Sequence, residues 1–370
     1  VREILFVVGE PSGDLHAAKV ASALRAAQPE RPLVGVGGER MRAAGVRLLE
    51  HSENLAAIGF TEVVRHIPRH FALLRTLKQR LASGNVGLVV LMDYPGLNMR
   101  VAEAAHRAGV PVLYYITPQV WAWGADRLPK LAKWVSKAAV ILPFEEALLR
   151  QHGVDATFVG HPLLDRASEL PEPAAARAQL GLDPHAPVLA VFPGSRGSEL
   201  ARHLDPFVAT AKMLQQRHPT LQVIVSGAPG ISIDAARCPF PVVRGQSFAV
   251  LRAATAGLLK SGTTTLEAAV AGLPHIIAYR TSAISYAIAR RVVKIPNIGL
   301  VNVVAGRTVS REFVQDAIVP AHMADALEPL LTIESAERQA ALQGLADVRE
   351  KLGTPGASER AAAFALSLAK

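Results

Sequence analysis

Residues 256–280, AGLLKSGTTTLEAAVAGLPHIIAYR, leave few choices of fold. Ala256–Leu259 is an apolar run that reads as a strand and stops at Lys260, Ser261 and Gly262. Thr263, Thr264 and Thr265 follow, and Leu266–Ala271 has the composition of a helix. Gly272-Leu273-Pro274 ends that helix, and His275–Tyr279 returns as another buried strand. A Gly-rich turn that opens a helix leaves backbone N–H groups unpaired at the positive end of the macrodipole, a natural seat for phosphate. Glu267, one turn into the helix, is placed to accept hydrogen bonds from a neutral polyol such as a ribose. The stretch predicts a nucleotide-diphosphate cradle, although an ordinary strand–turn–helix connection has the same pattern.

The rest of the composition agrees with buried aliphatic strands. Of 370 residues, 50% are apolar but only 5% aromatic, which suits α/β layers. The length predicts two domains. The single cysteine, Cys238, excludes an intramolecular disulfide and is consistent with a reducing compartment. Val1-Arg2-Glu3-Ile4 runs into a short strand without the flanks of a signal peptide, and no run approaches the ~18 apolar residues of a spanning helix. The net charge of +9 points to an anionic partner such as nucleic acid, lipid or a phosphorylated small molecule, or to a solvated basic surface. Nucleic acid is disfavoured, because there is no aromatic platform, zinc spacing or basic helix-turn-helix pattern.

In chain order, Ile4–Val8 is a buried strand ending in Gly9-Glu10-Pro11-Ser12-Gly13-Asp14, with a helix over His16–Ala27. Loops at strand ends line the ligand crevice of open α/β sheets, so Glu10 is read as facing a substrate. Asp14 is read as the cap of the helix that follows it. Leu33–Val36 is a second strand. Glu62–Leu81 carries Val63, Ile67, Phe71, Leu74, Leu77 and Leu81 at helical spacing, interrupted by Pro68, with Arg65, Arg69, Arg75, Lys78 and Arg80 between them. Such a segment either lies in a membrane interface or packs its stripe on a core. Leu88–Met92 is an apolar strand with Asp93 at its carboxyl end, placed either as a general base or as a turn cap. Strands Val112–Ile116, Ala138–Leu142 and Thr157–Val159 follow, the first leading to Trp121 and Trp123. A linker is expected around residues 161–180. Alternation resumes with Val188–Phe192, whose loop places Arg196 to clamp a diphosphate by bidentate hydrogen bonds. Strands at Leu221–Val225 and Val242–Val243 lead to a helix at Ser247–Ala253, and helices run from the polar loop Asn302–Arg307 to the end.

Two similar α/β halves with a phosphate loop in the second resemble the GT-B glycosyltransferases. The finer motifs are similar to one family, the lipid-A-disaccharide synthases. They are GEPSGD (Gly9–Asp14), MDYPGLN (Met92–Asn98), TPQVWAW (Thr117–Trp123), LPFE (Leu142–Glu145), VGHPLLD (Val159–Asp165), PGSRGSE (Pro193–Glu199), SGTTTLE (Ser261–Glu267) and NVVAGR (Asn302–Arg307). The resemblance implies two Rossmann-like parallel-sheet domains facing a cleft. Residues 1–170 would hold the acceptor and 171–340 a UDP-sugar. A helical tail, 341–370, would pack back on the first domain or on a partner subunit. It further implies joining UDP-2,3-diacylglucosamine to 2,3-diacylglucosamine 1-phosphate without a metal or other cofactor. The setting would be cytoplasmic, at the inner-membrane surface, and some members of the family form homodimers.

Under that resemblance Asp93, Glu10 and Arg196 receive catalytic roles, with Asp93 taking the proton of the acceptor 6-hydroxyl. Asn98 would orient the acceptor or shape its site, together with Ser12 and Gly13. Ser195, Ser261, Gly262, Thr263 and Thr264 would hold the diphosphate with Arg196 and Lys260. Glu267 would meet the ribose, Asn302 and Arg307 would close over the donor, and the backbone near Gly245–Gln246 would meet the uracil. The acylated substrates turn the reading of Glu62–Leu81 towards a membrane-docking surface, on which charges at Phe71 and Leu74 should raise solubility without unfolding. The chain departs from the family pattern at Gly124, where an Arg is usual, leaving Arg127 to supply that charge. It also departs at Thr255 and at Arg311-Glu312.

Overall fold

Aliphatic strands without polar alternation need cover on both faces, and parallel sheets flanked by helices provide it. A computed structural model describes residues 1–9, 11–54, 60–283, 285–287 and 296–369, with the side chains of 11, 12 and 60–68 also outside the description. The backbone divides into two units, Val1–Pro162 with Gly353–Lys370, and Leu163–Leu352.

The first unit holds β1 (Glu3–Val8), β2 (Leu33–Gly37), β3 (Arg47–His51), β4 (Val86–Met92), β5 (Val112–Tyr115), β6 (Lys137–Val140) and β7 (Ala156–Phe158), in spatial order 3-2-1-4-5-6-7. All pairings are parallel. Strand periodicity sorts the core. Leu5, Val7, Val89 and Leu91 face the helices Phe60–Ala82 and Pro95–Arg107. Ile4, Phe6, Val8, Leu88 and Val90 face the helices Pro11–Ala27 and Ala357–Leu368. The second unit holds β8 (Val188–Phe192), β9 (Gln222–Gly227), β10 (Val242–Arg244), β11 (Ala256–Lys260), β12 (His275–Tyr279) and β13 (Glu312–Val314), parallel and in order 10-9-8-11-12-13.

In each sheet the order reverses direction once, between β1 and β4 and between β8 and β11. Crevices at such switch points, outside the carboxyl ends of the strands, are the ligand sites of this architecture. Register places Val8 beside Met92 and Phe192 beside Leu259. The carboxyl ends of β1 and β4, and the helices Pro11–Ala27 and Pro95–Arg107 that follow them, therefore lie side by side in one unit, as do the ends of β8 and β11 with the helices Gly197–Arg217 and Thr264–Ala271 in the other.

The structure departs from the sequence expectations in places with physical causes. Edge strands β3 and β13 carry charged residues and lack an apolar run, so composition gave no sign of them. The expected boundaries at 170 and 340 compare with observed divisions after Pro162 and Leu352. Arg166, in the turn Leu164–Glu169, stacks 4.5 Å from the Phe248 ring and so ties that turn to the second unit. The helix Ala336–Lys351 also stays there, its Asp347 bound to Arg307. Only the last helix returns to the first unit, where Arg360 donates to the Val159 carbonyl at 2.9 Å.

The helix over Phe60–Ala82 runs through Pro68 without interruption. Leu73, Leu74, Leu77 and Leu81 are buried. At about 1.5–3 kcal/mol each, they outweigh the roughly 3 kcal/mol cost of an interior proline. This corrects the reading of Leu74 as a membrane-facing residue: it lies in the core, while Phe71 is 59% exposed. The side chains of Val63, Arg65 and Ile67, expected on the same stripe and its basic flank, lie outside the described residues. In urea unfolding, Leu77→Ala should cost about 2–5 kcal/mol and Leu74→Asp should unfold the chain. Phe71→Ser should stay within about 0.5 kcal/mol of the parent. Equal losses for Phe71 and Leu77 would contradict this packing.

Candidate functional site

At the switch point of the first unit, β4 ends in a strained turn. Asp93 and Tyr94 have φ of 45° and 46°, and Ile116, one residue past β5, has φ of 60°. Three non-glycine residues in the left-handed region cost about 1–3 kcal/mol each, and such strain clusters at functional sites. Side chains from neighbouring elements hold the turn in place. The Asn98 amide donates to the carbonyls of Asp93 (2.7 Å), Met92 (3.0 Å) and Val7 (3.3 Å). The buried Tyr114 hydroxyl donates to the Asp93 carbonyl at 2.7 Å, and the Asp93 N–H donates to the Ile116 carbonyl at 3.0 Å. Burial, and secondarily the Asp93 carboxylate, push the Tyr114 phenol up, so it stays a donor at neutral pH. The Tyr94 hydroxyl lies 2.5 Å from His70 Nε2.

This geometry revises several roles. Asn98 has no exposed surface and its amide shapes the Asp93 turn from behind, the second of the two roles the sequence offered it. Gly13 is buried, and a side chain there would meet Val8 Cγ1 at 2.7 Å, which makes it a packing position between helix and sheet. Asp14 does not cap its own helix. Its carboxylate accepts from the N–H groups of Gly38 (2.7 Å), Arg40 (3.1 Å) and Met41 (3.2 Å), capping the helix Glu39–Ala43. Glu10 and the Ser12 side chain lie outside the described residues.

Around the Trp pair, Trp121 Nε1 donates to Glu145 Oε1 at 3.0 Å, and Glu145 Oε2 accepts from the Leu142 N–H at 3.0 Å. Burial pushes the Glu145 carboxyl up to about 7, against the pull of these two hydrogen bonds. Trp123 is 44% exposed, with the Arg127 guanidinium 4.5 Å from its ring centroid.

The switch point of the second unit gathers cations and helix starts. Ser195 and Arg196 are exposed on the loop after β8, and Arg196 precedes the helix Gly197–Arg217. Glu199 organises this corner. It accepts from the Ser195 N–H at 2.9 Å, binds Lys260 Nζ at 2.9 Å and lies 3.9 Å from Arg196. Burial alone would raise its carboxyl, but Lys260, Ser195 and Arg196 together hold it below the usual range. His203 links the corner to β12, donating Nδ1–H to the Glu199 carbonyl and accepting the Arg280 N–H, both at 2.8 Å. Burial lowers the His203 pKa, in keeping with a neutral ring that both donates and accepts. Glu199 was legible in principle, because an acid at the third helical position that reaches back to a preceding N–H is a capping pattern.

The Ser261 hydroxyl donates to the Ile298 carbonyl at 2.9 Å, so its side chain pins a loop. Gly262, Thr263 and Thr264 open the helix Thr264–Ala271, with Thr263 exposed. Glu267 is half-buried on that helix and accepts no hydrogen bond among the described residues. Burial raises its carboxyl, with Arg166 pulling the other way. A carboxylate desolvated in this way suits an incoming hydroxyl donor.

Asn302 and Arg307 are placed differently from the expectation. Asn302 is fully buried, donating to the Ser310 carbonyl and Glu312 Oε1 (both 2.7 Å) and accepting from the N–H groups of Val309 (2.8 Å) and Ser310 (2.9 Å). All its polar valences are spent inside the protein. Arg307 is an exposed partner of Asp347 at 2.9 Å. Gly245 and Gln246 are exposed beyond β10.

The Glu145 carboxyl gives stability a pH dependence. The folded chain keeps its proton up to about 7, whereas the unfolded chain loses it near 4.5. The folded state thus binds more protons in that window, and stability falls as pH rises through it, by an amount of order 3 kcal/mol. In urea unfolding across about pH 4.5–8, Glu145→Gln should flatten this fall, and parallel curves would show that the carboxyl titrates normally.

Among known proteins, the lipid-A-disaccharide synthetase family model matches residues 4–367. The lipid-A-disaccharide synthase of Trichlorobacter lovleyi is 39% identical over 375 residues, covering 99% of this chain and 97% of the relative. Solved structures share the fold at low identity. A UDP-GlcNAc 2-epimerase from Neisseria meningitidis, bound to UDP-GlcNAc, has a TM-score of 0.65 at 12% identity, covering 99% of this chain and all of that one. The kitacinnamycin glycotransferase has a TM-score of 0.65 at 15% identity, covering 100% and 99%. Two parallel-sheet Rossmann-like units of this kind constitute the GT-B fold, and with its near full-length match the chain belongs to the lipid-A-disaccharide synthetase family.

Proposed function

We propose that the chain is an inverting glycosyltransferase that joins UDP-2,3-diacylglucosamine to 2,3-diacylglucosamine 1-phosphate. The products are the β-1,6-linked lipid A disaccharide 1-phosphate and UDP. The observation that carries this reading is the division of chemistry between two switch points. One presents a carboxylate on a strained turn, and the other gathers Arg196, Lys260 and two helix starts.

Asp93 takes the proton of the acceptor 6-hydroxyl as that oxygen attacks the anomeric carbon from the face opposite UDP. The bond from the anomeric carbon to the phosphate oxygen breaks, and UDP leaves as an anion. The developing charge on the diphosphate meets the Arg196 guanidinium and the N–H groups that begin the helices at 197 and 264. Lys260 contributes through Glu199, which fixes both cations at that corner. Glu267 accepts from the ribose hydroxyls. Asn302 fixes the 306–310 loop rather than touching the donor.

Among the described residues, no helix is long and apolar enough to cross a membrane. Exposed Phe71, with Arg75, Lys78 and Arg100 beside it, supports docking on the anionic cytoplasmic face of the inner membrane, where both acylated substrates reside.

Asp93→Asn should abolish turnover while leaving UDP-sugar binding nearly intact, and near-normal turnover would remove Asp93 as the base. Arg196→Ala should slow the reaction by roughly 10²-fold, and an unchanged kcat would leave it a surface residue. Mass spectrometry of products, with each acylated sugar omitted in turn, tests the reaction itself. Conversion of UDP-N-acetylglucosamine alone would replace this reading with an epimerase.

A further inference from the structure

The loop leaving β5 holds a cation that the steps above do not use. Gly124 has φ of 80°, and a Cβ there would lie 2.5 Å from Arg127 Nη1. The absence of a side chain at 124 is therefore what lets the Arg127 guanidinium fold back over Trp123. Nη1 is shielded from solvent yet has no hydrogen-bond acceptor among the described residues. Thr117, 4% exposed at the start of the same loop, likewise has a buried hydroxyl with no partner among them. Buried donors in folded proteins are nearly always satisfied, so unpaired ones on a strand-end loop point to an acceptor that arrives with a ligand.

The position of the guanidinium narrows what that ligand is. Arg127 and the Asp93 carboxylate act in opposite directions on the Tyr114 phenol, whose hydroxyl is bonded to the Asp93 carbonyl. The loop that carries Arg127 also borders the proposed base, since the Asp93 N–H is bonded to the Ile116 carbonyl at its start. No carboxylate among the described residues forms an ion pair with Arg127, and its neighbour Asp126 is exposed. A guanidinium seated 4.5 Å from an indole centroid keeps its planar fork of N–H groups, the geometry that matches a phosphate in bidentate fashion. The cations proposed for the donor diphosphate, Arg196 and Lys260, belong to the other unit.

We propose that Arg127, seated on Trp123 through the Gly124 turn, binds the phosphate of the acceptor sugar and so selects a phosphorylated acceptor. This rests on the glycosyl-transfer reading, since it assigns Asp93 and Arg127 to one substrate.

The test compares the acceptor 1-phosphate with the same sugar lacking phosphate, against the parent, Arg127→Met and Arg127→Lys. Methionine keeps an apolar stem on Trp123 without the charge, and lysine keeps the charge without the fork. Binding is followed by tryptophan fluorescence, independently of turnover, with Trp123→Phe identifying the reporting ring. Arg127→Met should weaken binding of the phosphorylated acceptor by about 10- to 100-fold. It should leave the phosphate-free sugar and the donor KM unchanged, and Arg127→Lys should recover part of the loss. Equal losses on both sugars, including losses caused by a destabilised fold, would overturn the proposal. So would an acceptor affinity that ignores Arg127. If the parent binds the phosphorylated sugar through Arg127 but releases no UDP, the phosphate site stands and the transferase reading falls.

Discussion

A side-chain amide without solvent contact secures the proposed acceptor corner. Asn98 ties the carbonyls of Val7, Met92 and Asp93 together, so that two adjacent strands and the turn beyond them are fixed to a single helix. Left-handed φ at Asp93, Tyr94 and Ile116 would relax in a free loop. Here the Asn98 amide and the Tyr114 hydroxyl converge on the Asp93 carbonyl and offset that cost. The main chain is held, which fixes where the Asp93 side chain leaves it. Precise aim of this kind is what general-base chemistry requires.

The second unit solves a different problem with similar means. A site for a leaving diphosphate needs positive charges brought together, and like charges repel. The Glu199 carboxylate sits between Lys260 and Arg196 and also accepts the Ser195 N–H, so one half-buried anion sets the spacing of two cations and a loop. Glu312 plays a comparable part further on, accepting from Ile298 N and Gly299 N at the start of the helix Leu300–Ala305 while receiving the Asn302 amide. In both places an acid fixes loop backbone and neighbouring polar side chains.

The strands and the loops at their ends were legible in the sequence because uninterrupted aliphatic runs allow little else. β3 and β13 were not, since short charged edge strands carry no period. The orientation of polar residues inside the motifs was also hidden. Asn98 and Asn302 look like ligand groups in a linear reading and Asp14 like the cap of its own helix, yet each is buried and bonded to backbone elsewhere. Which carbonyls stand unpaired behind Asn98 depends on Val7, 91 positions away in the chain. No local pattern encodes such a partner. Glu267, by contrast, read as an acceptor open to a ligand, and its half-buried carboxylate accepts no hydrogen bond among the described residues.

The return of the last helix to the first unit makes that unit discontinuous in sequence. A chain emerging from the ribosome as far as Leu352 already contains every residue of the second unit. It still lacks Ala357, Ala361, Ala362 and Ala365, which close one face of the first sheet beside Ala17 and Ala21. Synthesis therefore delivers the half proposed to hold the UDP-sugar complete while the half bearing Asp93 still has an open side. Domains tend to fold as units in the order they are made, and here the half that begins first is the one that finishes last.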